Sequence, residues 1–196
     1  MKYKRIGVMC GSSEVCPQKY LDMAFKLGET LGLLGHEVVY GGGAKGLMRR
    51  VADGALSKGG RVDGYMPEFM VAVEWQHDKL THLHITKDMA DRKRQMMVNS
   101  DATIFLPGGC GTMEEFFEWM TNKRLGQYTG PLIILNFQGY YDPLVTLLHH
   151  MENDKFHSPL HSQMWSVANS LEELPQVLED APAWSTDAIK HASVKE

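Results

Sequence analysis

Long apolar runs are missing from this chain. No stretch reaches the roughly 18 consecutive apolar residues that a membrane-crossing helix requires, so no membrane partner is expected. Cysteine is scarce: Cys10, Cys16 and Cys110 form an odd set without metal-ligand spacing, which suits reduced thiols in a cytoplasm. Each reads first as a small buried or half-buried residue, and no metal site is expected. One-signed charge is missing too. A net charge of -4 offers no broad positive surface to nucleic acid or to anionic lipid, so any anion binding has to come from local loops and cations. There is no internal repeat, low-complexity block or interdomain linker. Met1-Lys2-Tyr3-Lys4-Arg5 runs straight into a short apolar strand with no cleavage-like site, which does not read as a signal peptide. What remains is 43% hydrophobic and 22% charged residues over 196 positions, the profile of one globular domain with a sizeable core.

Short apolar runs alternate with longer segments of helical period, which points to a parallel sheet covered on both faces. Strands are expected at Ile6–Cys10, Glu37–Tyr40, Arg61–Met66, Thr81–Thr86, Ala102–Leu106, Leu132–Phe137 and Met164–Val167. Between them, Tyr20, Ala24, Leu27, Leu31 and Leu34 recur at helical spacing, and Gly35 stops that helix. Further helices are expected over Leu47–Ser57, Met89–Val98, Thr112–Leu125, Leu144–Met151 and Leu171–Leu178. The fold class is α/β: a Rossmann-like three-layer α/β/α sandwich around a mostly parallel, doubly wound sheet of about seven strands. Right-handed crossovers give an expected strand order 4-3-2-1-5-6-7, with the switch point between strands one and five. Residues 1–180 form a single nucleotide-binding domain in this reading, and 181–196 a loose C-terminal tail.

Two glycine-rich loops would then face the carboxyl-end crevice. The sharper is Pro107-Gly108-Gly109-Cys110-Gly111-Thr112-Met113-Glu114-Glu115. Its glycines let backbone N–H groups approach an anion, and the following helix aims its positive end at the same spot. A phosphate there is expected to take bonds from the Gly108–Thr112 amides and the Thr112 hydroxyl. Thr112-x-x-Glu115 is equally a capping box, a purely structural reading of the same pair. The second loop, Gly41-Gly42-Gly43-Ala44-Lys45-Gly46, has the spacing of a dinucleotide fingerprint, yet no acid stands where a ribose hydroxyl would need one. Arg61, Val62, Asp63 and Glu68 are all poorly placed, which disfavours a nicotinamide-dependent oxidoreductase. A tight turn or a second mononucleotide cradle, with Gly42 and Gly43 against the ligand, fits better. Met89-Ala90-Asp91-Arg92-Lys93-Arg94 sets cations at a helix start, where the dipole opposes them, and this tips the cluster toward ligand binding. His82 and His84 share a strand face without a third ligand, and most of the thirteen methionines read as core filler.

Together these motifs resemble the Lonely Guy (LOG) family, which carries an older lysine-decarboxylase-like label. Its P-G-G-x-G-T-x-x-E matches Pro107 to Glu115 and its Met-x-x-Arg-Lys matches Met89, Arg92 and Lys93, with Cys10-Gly11-Ser12-Ser13 and Gly139-Tyr140-Tyr141-Asp142-Pro143 also alike. The resemblance runs from about residue 5 to 180. It implies an N-glycosidase that hydrolyses AMP or N6-substituted, cytokinin-type AMP to free base and ribose 5-phosphate, as a homodimer and without an organic cofactor. It makes Arg92 and Glu115 the catalytic pair, with Ser12, Met89 and Lys93 beside the glycine loops around the nucleotide. A decarboxylase would need a Schiff-base lysine, and no lysine is singled out. Glu115 is expected to be kept ionised by the helix dipole. Asp91 and Glu114 are the candidates for protonating the departing purine. The apolar face Phe116, Trp119 and Met120 is read as either dimer interface or core. A non-catalytic module of the molybdenum-cofactor-carrier type is the alternative to the enzyme.

Overall fold

The computed structural model describes residues 2–73 and 75–193. Its frame is β1 (Arg5–Met9), α1 (Gln18–Leu33), β2 (Glu37–Tyr40), α2 (Gly46–Ser57), β3 (Arg61–Pro67), α3 (Glu68–Val71), β4 (His82–Thr86), α4 (Met89–Val98), β5 (Ala102–Phe105), α5 (Cys110–Arg124), β6 (Leu132–Leu135), α6 (Asp142–Asn153), β7 (Ser166–Ala168) and α7 (Leu174–Asp180). The strands form one sheet in the order β4-β3-β2-β1-β5-β6-β7, the order expected from the crossover rule. Every neighbouring pair is parallel. The fold is a Rossmann-like α/β/α sandwich.

Strand residues alternate between the two faces and so build two cores. Ile6, Val8, Val38, Tyr40, Ile104 and Ile133 pack with Leu27 of α1, Val51 and Ala55 of α2 and Leu178 of α7. Met9, Val39, Tyr65, Phe105 and Ile134 pack on the other side with Met96 of α4, Trp119 of α5 and Leu148 of α6. Phe116, Trp119 and Met120 are buried here, so the apolar face of α5 is core and not interface. Helices α1 and α2 touch backbone to backbone: a Cβ on Gly28 would stand 2.1 Å from the Val51 carbonyl oxygen.

The tail departs from expectation. From Ala181 the sequence lacks a hydrophobic period, which predicts a loose tail, yet the segment is docked as far as Ala192. Trp184 Nε1 donates to the Lys123 carbonyl at 2.6 Å, and Arg124 Nε donates to the Ala192 carbonyl at 2.6 Å. A short 3-10 turn over Thr186–His191 buries Ala188. Free carbonyls and one cation at the C-terminal end of α5 capture the segment, and hydrophobic periodicity carries no trace of that.

Lys123 is buried beneath this contact, its Nζ donating to the Gly130 carbonyl at 2.6 Å and lying 5.7 Å from the Trp184 ring centre. No carboxylate pairs with it among the described residues. Burial lowers its pKa from 10.5 to about 8. Between those values the unfolded chain binds more protons than the folded one, so this amine makes stability rise with pH across that window. Urea denaturation should show stability climbing from pH 8 to about 10, with up to about 3 kcal/mol from this group. Lys123→Met should flatten that slope, and an unchanged slope in the variant would refute the assignment.

Candidate active site

A cavity of about 500 Å³ opens at the carboxyl end of the sheet, beside the switch point between β1 and β5. Its walls are the loop after β1 (Cys10, Gly11, Ser12), the loop after β2 (Gly41, Gly43, Ala44, Lys45), the start of α5, and Arg92 from α4. The two glycine-rich segments do meet there. A bond from Gly11 N to the Pro107 carbonyl (3.0 Å) and one from Leu47 N to the Gly11 carbonyl (3.0 Å) tie the three loops together. Gly46 permits the last approach: its φ is +54, and a Cβ there would meet the Ser12 carbonyl carbon at 2.4 Å.

Helix α5 starts earlier than its hydrophobic pattern suggests. Gly109 is the N-cap residue, no side chain caps the helix, and no acid occupies its first turn. Thr112 is therefore the third helical residue and Glu115 lies in the second turn, so the pair makes no capping box. The first helical bond runs from Met113 N to the Gly109 carbonyl (3.1 Å), leaving the amides of Cys110, Gly111 and Thr112 ahead of it. Open donors and an uncompensated positive dipole end face the cavity together. The three glycines serve different ends. Gly108 is fixed by packing, since a Cβ would stand 2.1 Å from Thr112 Oγ1; its carbonyl accepts from the Tyr140 hydroxyl at 2.7 Å. Gly109 and Gly111 line the cavity, and a Cβ on either would meet nothing within 4 Å. The fold does not ask for glycine at those two positions; an occupant pressed against the backbone would.

Arg92 is buried and committed. Its Nε donates to the Tyr65 carbonyl (3.0 Å) and its Nη2 to the Gly41 carbonyl (3.1 Å), stapling β3 to the loop after β2. A Cβ on Gly41 would fall 1.7 Å from Nη2, so the guanidinium itself dictates that glycine. Glu115 lies beside this cation and is half-buried at the cavity wall. Burial pushes its pKa up to about 7, and Glu114 and Glu118 add to the rise, against the pull of Arg92 and Lys93. The expectation that the helix dipole keeps Glu115 fully ionised is thus corrected: desolvation outweighs a dipole felt a turn away. It is the single carboxylate lining the cavity among the described residues.

Of the residues singled out from the sequence, Ser12, Gly43, Arg92, Gly109, Gly111, Thr112 and Glu115 line the cavity, while Gly42, Met89, Lys93 and Gly108 do not. Lys93 is paired with Glu114 and Glu118. The Met89 thioether rests near Arg92 Nη1 at 3.8 Å. Gly42, at φ +78, turns the chain so that its carbonyl accepts from His77 N (2.9 Å). Asp91 is equally occupied, and bonds from Lys87 N, Gln95 and Arg94 hold its carboxyl below the usual range. The awkward cations at the start of α4 are relieved by Asp88, whose carboxylate accepts from Asp91 N, and by Asp91 itself. An apolar wall of Met48, Met66, Met70 and Trp75 was not foreseen. Its side chains come from three separate elements and a connecting loop, and no local pattern links them.

Comparison with known proteins fits this geometry. The family model described as "possible lysine decarboxylase" matches residues 48–178. A cytokinin riboside 5'-monophosphate phosphoribohydrolase of Rhodococcoides fascians is 40% identical over 157 residues, covering 80% of this chain and 79% of its own. The chain belongs to the LOG family. A second member, cytokinin riboside 5'-monophosphate phosphoribohydrolase LOG1 of Arabidopsis thaliana, is 37% identical over 179 residues, covering 91% of this chain and 84% of its own. Among solved structures, the molybdenum cofactor binding protein of Rippkaea orientalis superimposes with a TM-score of 0.68 at 22% identity, over 91% of this chain and 97% of its own. At that identity the likeness is one of fold.

The unequal glycines give a test. Gly111→Ala should fold as well as the parent or better, because alanine is the stronger helix former by roughly 0.5–1 kcal/mol, yet bind nucleotide at least tenfold more weakly. Gly108→Ala should lower the melting temperature. Isothermal titration and thermal denaturation on both variants check this, and undiminished affinity in Gly111→Ala would remove the ligand reading of the loop.

Proposed function

We propose that the chain hydrolyses the N-glycosidic bond of AMP or of N6-substituted, cytokinin-type AMP, releasing the free base and ribose 5-phosphate. The observation that carries this is Glu115, the single carboxylate lining the cavity among the described residues, one helical turn beyond an open set of backbone donors. The 5′-phosphate sits on the amides of Cys110, Gly111 and Thr112, with the Thr112 and Ser12 hydroxyls beside it. One turn of α5 advances about 5 Å along the axis, which sets Glu115 at the ribose instead of the phosphate. Breaking the bond to the purine leaves a cation-like sugar, as in glycoside hydrolysis. Ionised Glu115 stabilises that charge and takes a proton from the attacking water. A carboxyl with a pKa near 7 can return that proton to the departing purine. Asp91 and Glu114 drop out of this role, because neither lines the cavity. Arg92, already bound to two carbonyls, orients and balances Glu115.

A non-catalytic carrier needs no half-ionised carboxylate in its pocket, so that observation favours the hydrolase over the carrier named among the structural relatives. With Phe116 and Trp119 assigned to the core, a homodimer is better supported by the exposed Phe69 of α3, Val73 in the turn after it and Ile85 of the edge strand β4. A monomer mass by light scattering at micromolar concentration would rule it out. The three unpaired cysteines support a reduced, cytoplasmic setting. No helix among the described residues is long and apolar enough to cross a membrane.

Release of free base from AMP and from N6-isopentenyl-AMP should be readily measured with the purified chain. Glu115→Gln should lower it by roughly 10²- to 10⁴-fold with folding and nucleotide binding kept. The variant should melt at or above the parent at pH 8, because it removes a buried charge and no cap is lost. If Glu115 were only structural, activity per folded molecule would persist. For the parent, kcat/KM should rise through a single ionisation near pH 7 and then level off, since the ionised form is the working one. A profile flat from pH 5.5 to 8 would contradict Glu115 as the base.

A further inference from the structure

Trp75 is an anomaly among the four tryptophans. Trp119 and Trp165 are core residues and Trp184 anchors the tail, whereas Trp75 is 51% exposed at the cavity wall. A half-exposed indole on a loop is normally free to move, but this loop is fastened. The Trp75 carbonyl accepts from Ala44 N at 3.0 Å, Gln76 forms an antiparallel bridge with Gly43, and His77 N donates to the Gly42 carbonyl at 2.9 Å. His77 is itself buried at 4% exposure. Its Nδ1 accepts from Lys79 N at 3.1 Å, so the proton is on Nε2, which donates to Asp53 Oδ1 of α2 at 3.0 Å. The connection between α3 and β4 is therefore laid along the second glycine loop and pinned by a histidine–aspartate pair that does not line the cavity.

The cavity lining has two chemical characters: the donor loop of α5 with Ser12, and the apolar side chains of Met48, Met66, Met70 and Trp75. A nucleotide whose phosphate lies on the donor loop and whose ribose lies at Glu115 directs its base at those side chains. Thioethers and an indole supply dispersion and area, with no acceptor for an exocyclic amine. We propose that Trp75 is the specificity-determining residue of this site, selecting purine nucleotides that carry an apolar group on N6, and that His77 and Asp53 are its positioning pair. This rests on the nucleotide reading of the cavity given above.

The full-length chain with Trp75→Ala should lose about tenfold or more in kcat/KM for N6-isopentenyl-AMP, through KM with kcat retained, and less than threefold for AMP. Trp75→Phe should keep most of the discrimination. His77→Ala should reproduce the Trp75→Ala pattern, a split between two substrates that a general loss of folding would not produce. Equal losses on both substrates, or no loss on either, overturn the proposal. So does intact discrimination with a changed mass in light scattering, which would make the indole an interface contact instead. A second readout needs no turnover: N6-isopentenyl-AMP should quench tryptophan fluorescence of Glu115→Gln, and the added Trp75→Phe change should abolish most of the quench. If the parent releases base from neither nucleotide, the hydrolase reading falls, while the quench still decides the role of Trp75.

Discussion

The buried guanidinium of Arg92 is the constraint on which the site depends. It ends in two backbone carbonyls, those of Tyr65 and Gly41, and so joins β3 to the loop leaving β2. Its reach determines that residue 41 has no side chain. Its charge is the larger of two counterweights, with Lys93, to the desolvation of Glu115, and the balance sets that carboxyl near neutrality instead of far above it. An arginine that only clamped phosphate would keep its donors turned to the cavity; this one commits two of its five to framework carbonyls. Replacing it would disturb the backbone geometry around β3 and the ionisation of Glu115 together, so the two effects are not separable by truncation alone.

The same economy runs through the donor loop. The N-terminus of α5 lacks a capping side chain, and Tyr140 holds the loop from behind through the Gly108 carbonyl. Tyr141 does likewise at the Leu106 carbonyl, at 2.5 Å. The loop is thus fixed by bonds to its carbonyls, which leaves its amides for a ligand. Positioning by the second layer of contacts costs the first layer none of its donors.

Much of this was legible in the sequence. The alternation of strands and helices, the strand order and the meeting of two glycine loops follow from period, handedness and the chemistry of turns, all of which are local or nearly so. The glycines of the loop after β5 drew notice for the same local reason, whereas Arg92 and Glu115 were singled out as a pair through the family resemblance. Four features were not. The start of α5 was misplaced because Thr112 and Glu115 imitate a cap, whereas the true cap is a glycine with nothing to announce it. The ionisation of Glu115 depends on burial by residues distant in sequence. The apolar wall comprises ordinary methionines whose neighbours along the chain give no hint of a shared surface, and the docked tail is held by carbonyls, which every residue has.

The strand order also sets a schedule for assembly. β1 lies at the centre of the sheet, and its partner on one side, β5, begins only at Ala102. Until about half of the chain has emerged and folded back, the first strand can pair only with β2, leaving Ile6, Val8 and Met9 along an open edge. Such long-range parallel pairing is slow, because loop entropy must be spent before the contact rewards it. An apolar edge exposed in that interval is a template for misassociation. The cavity shares the delay, for its two sides lie on either flank of that last central pairing. Any nascent fragment that stops short of β5 would contain half a site and one unpaired apolar strand edge.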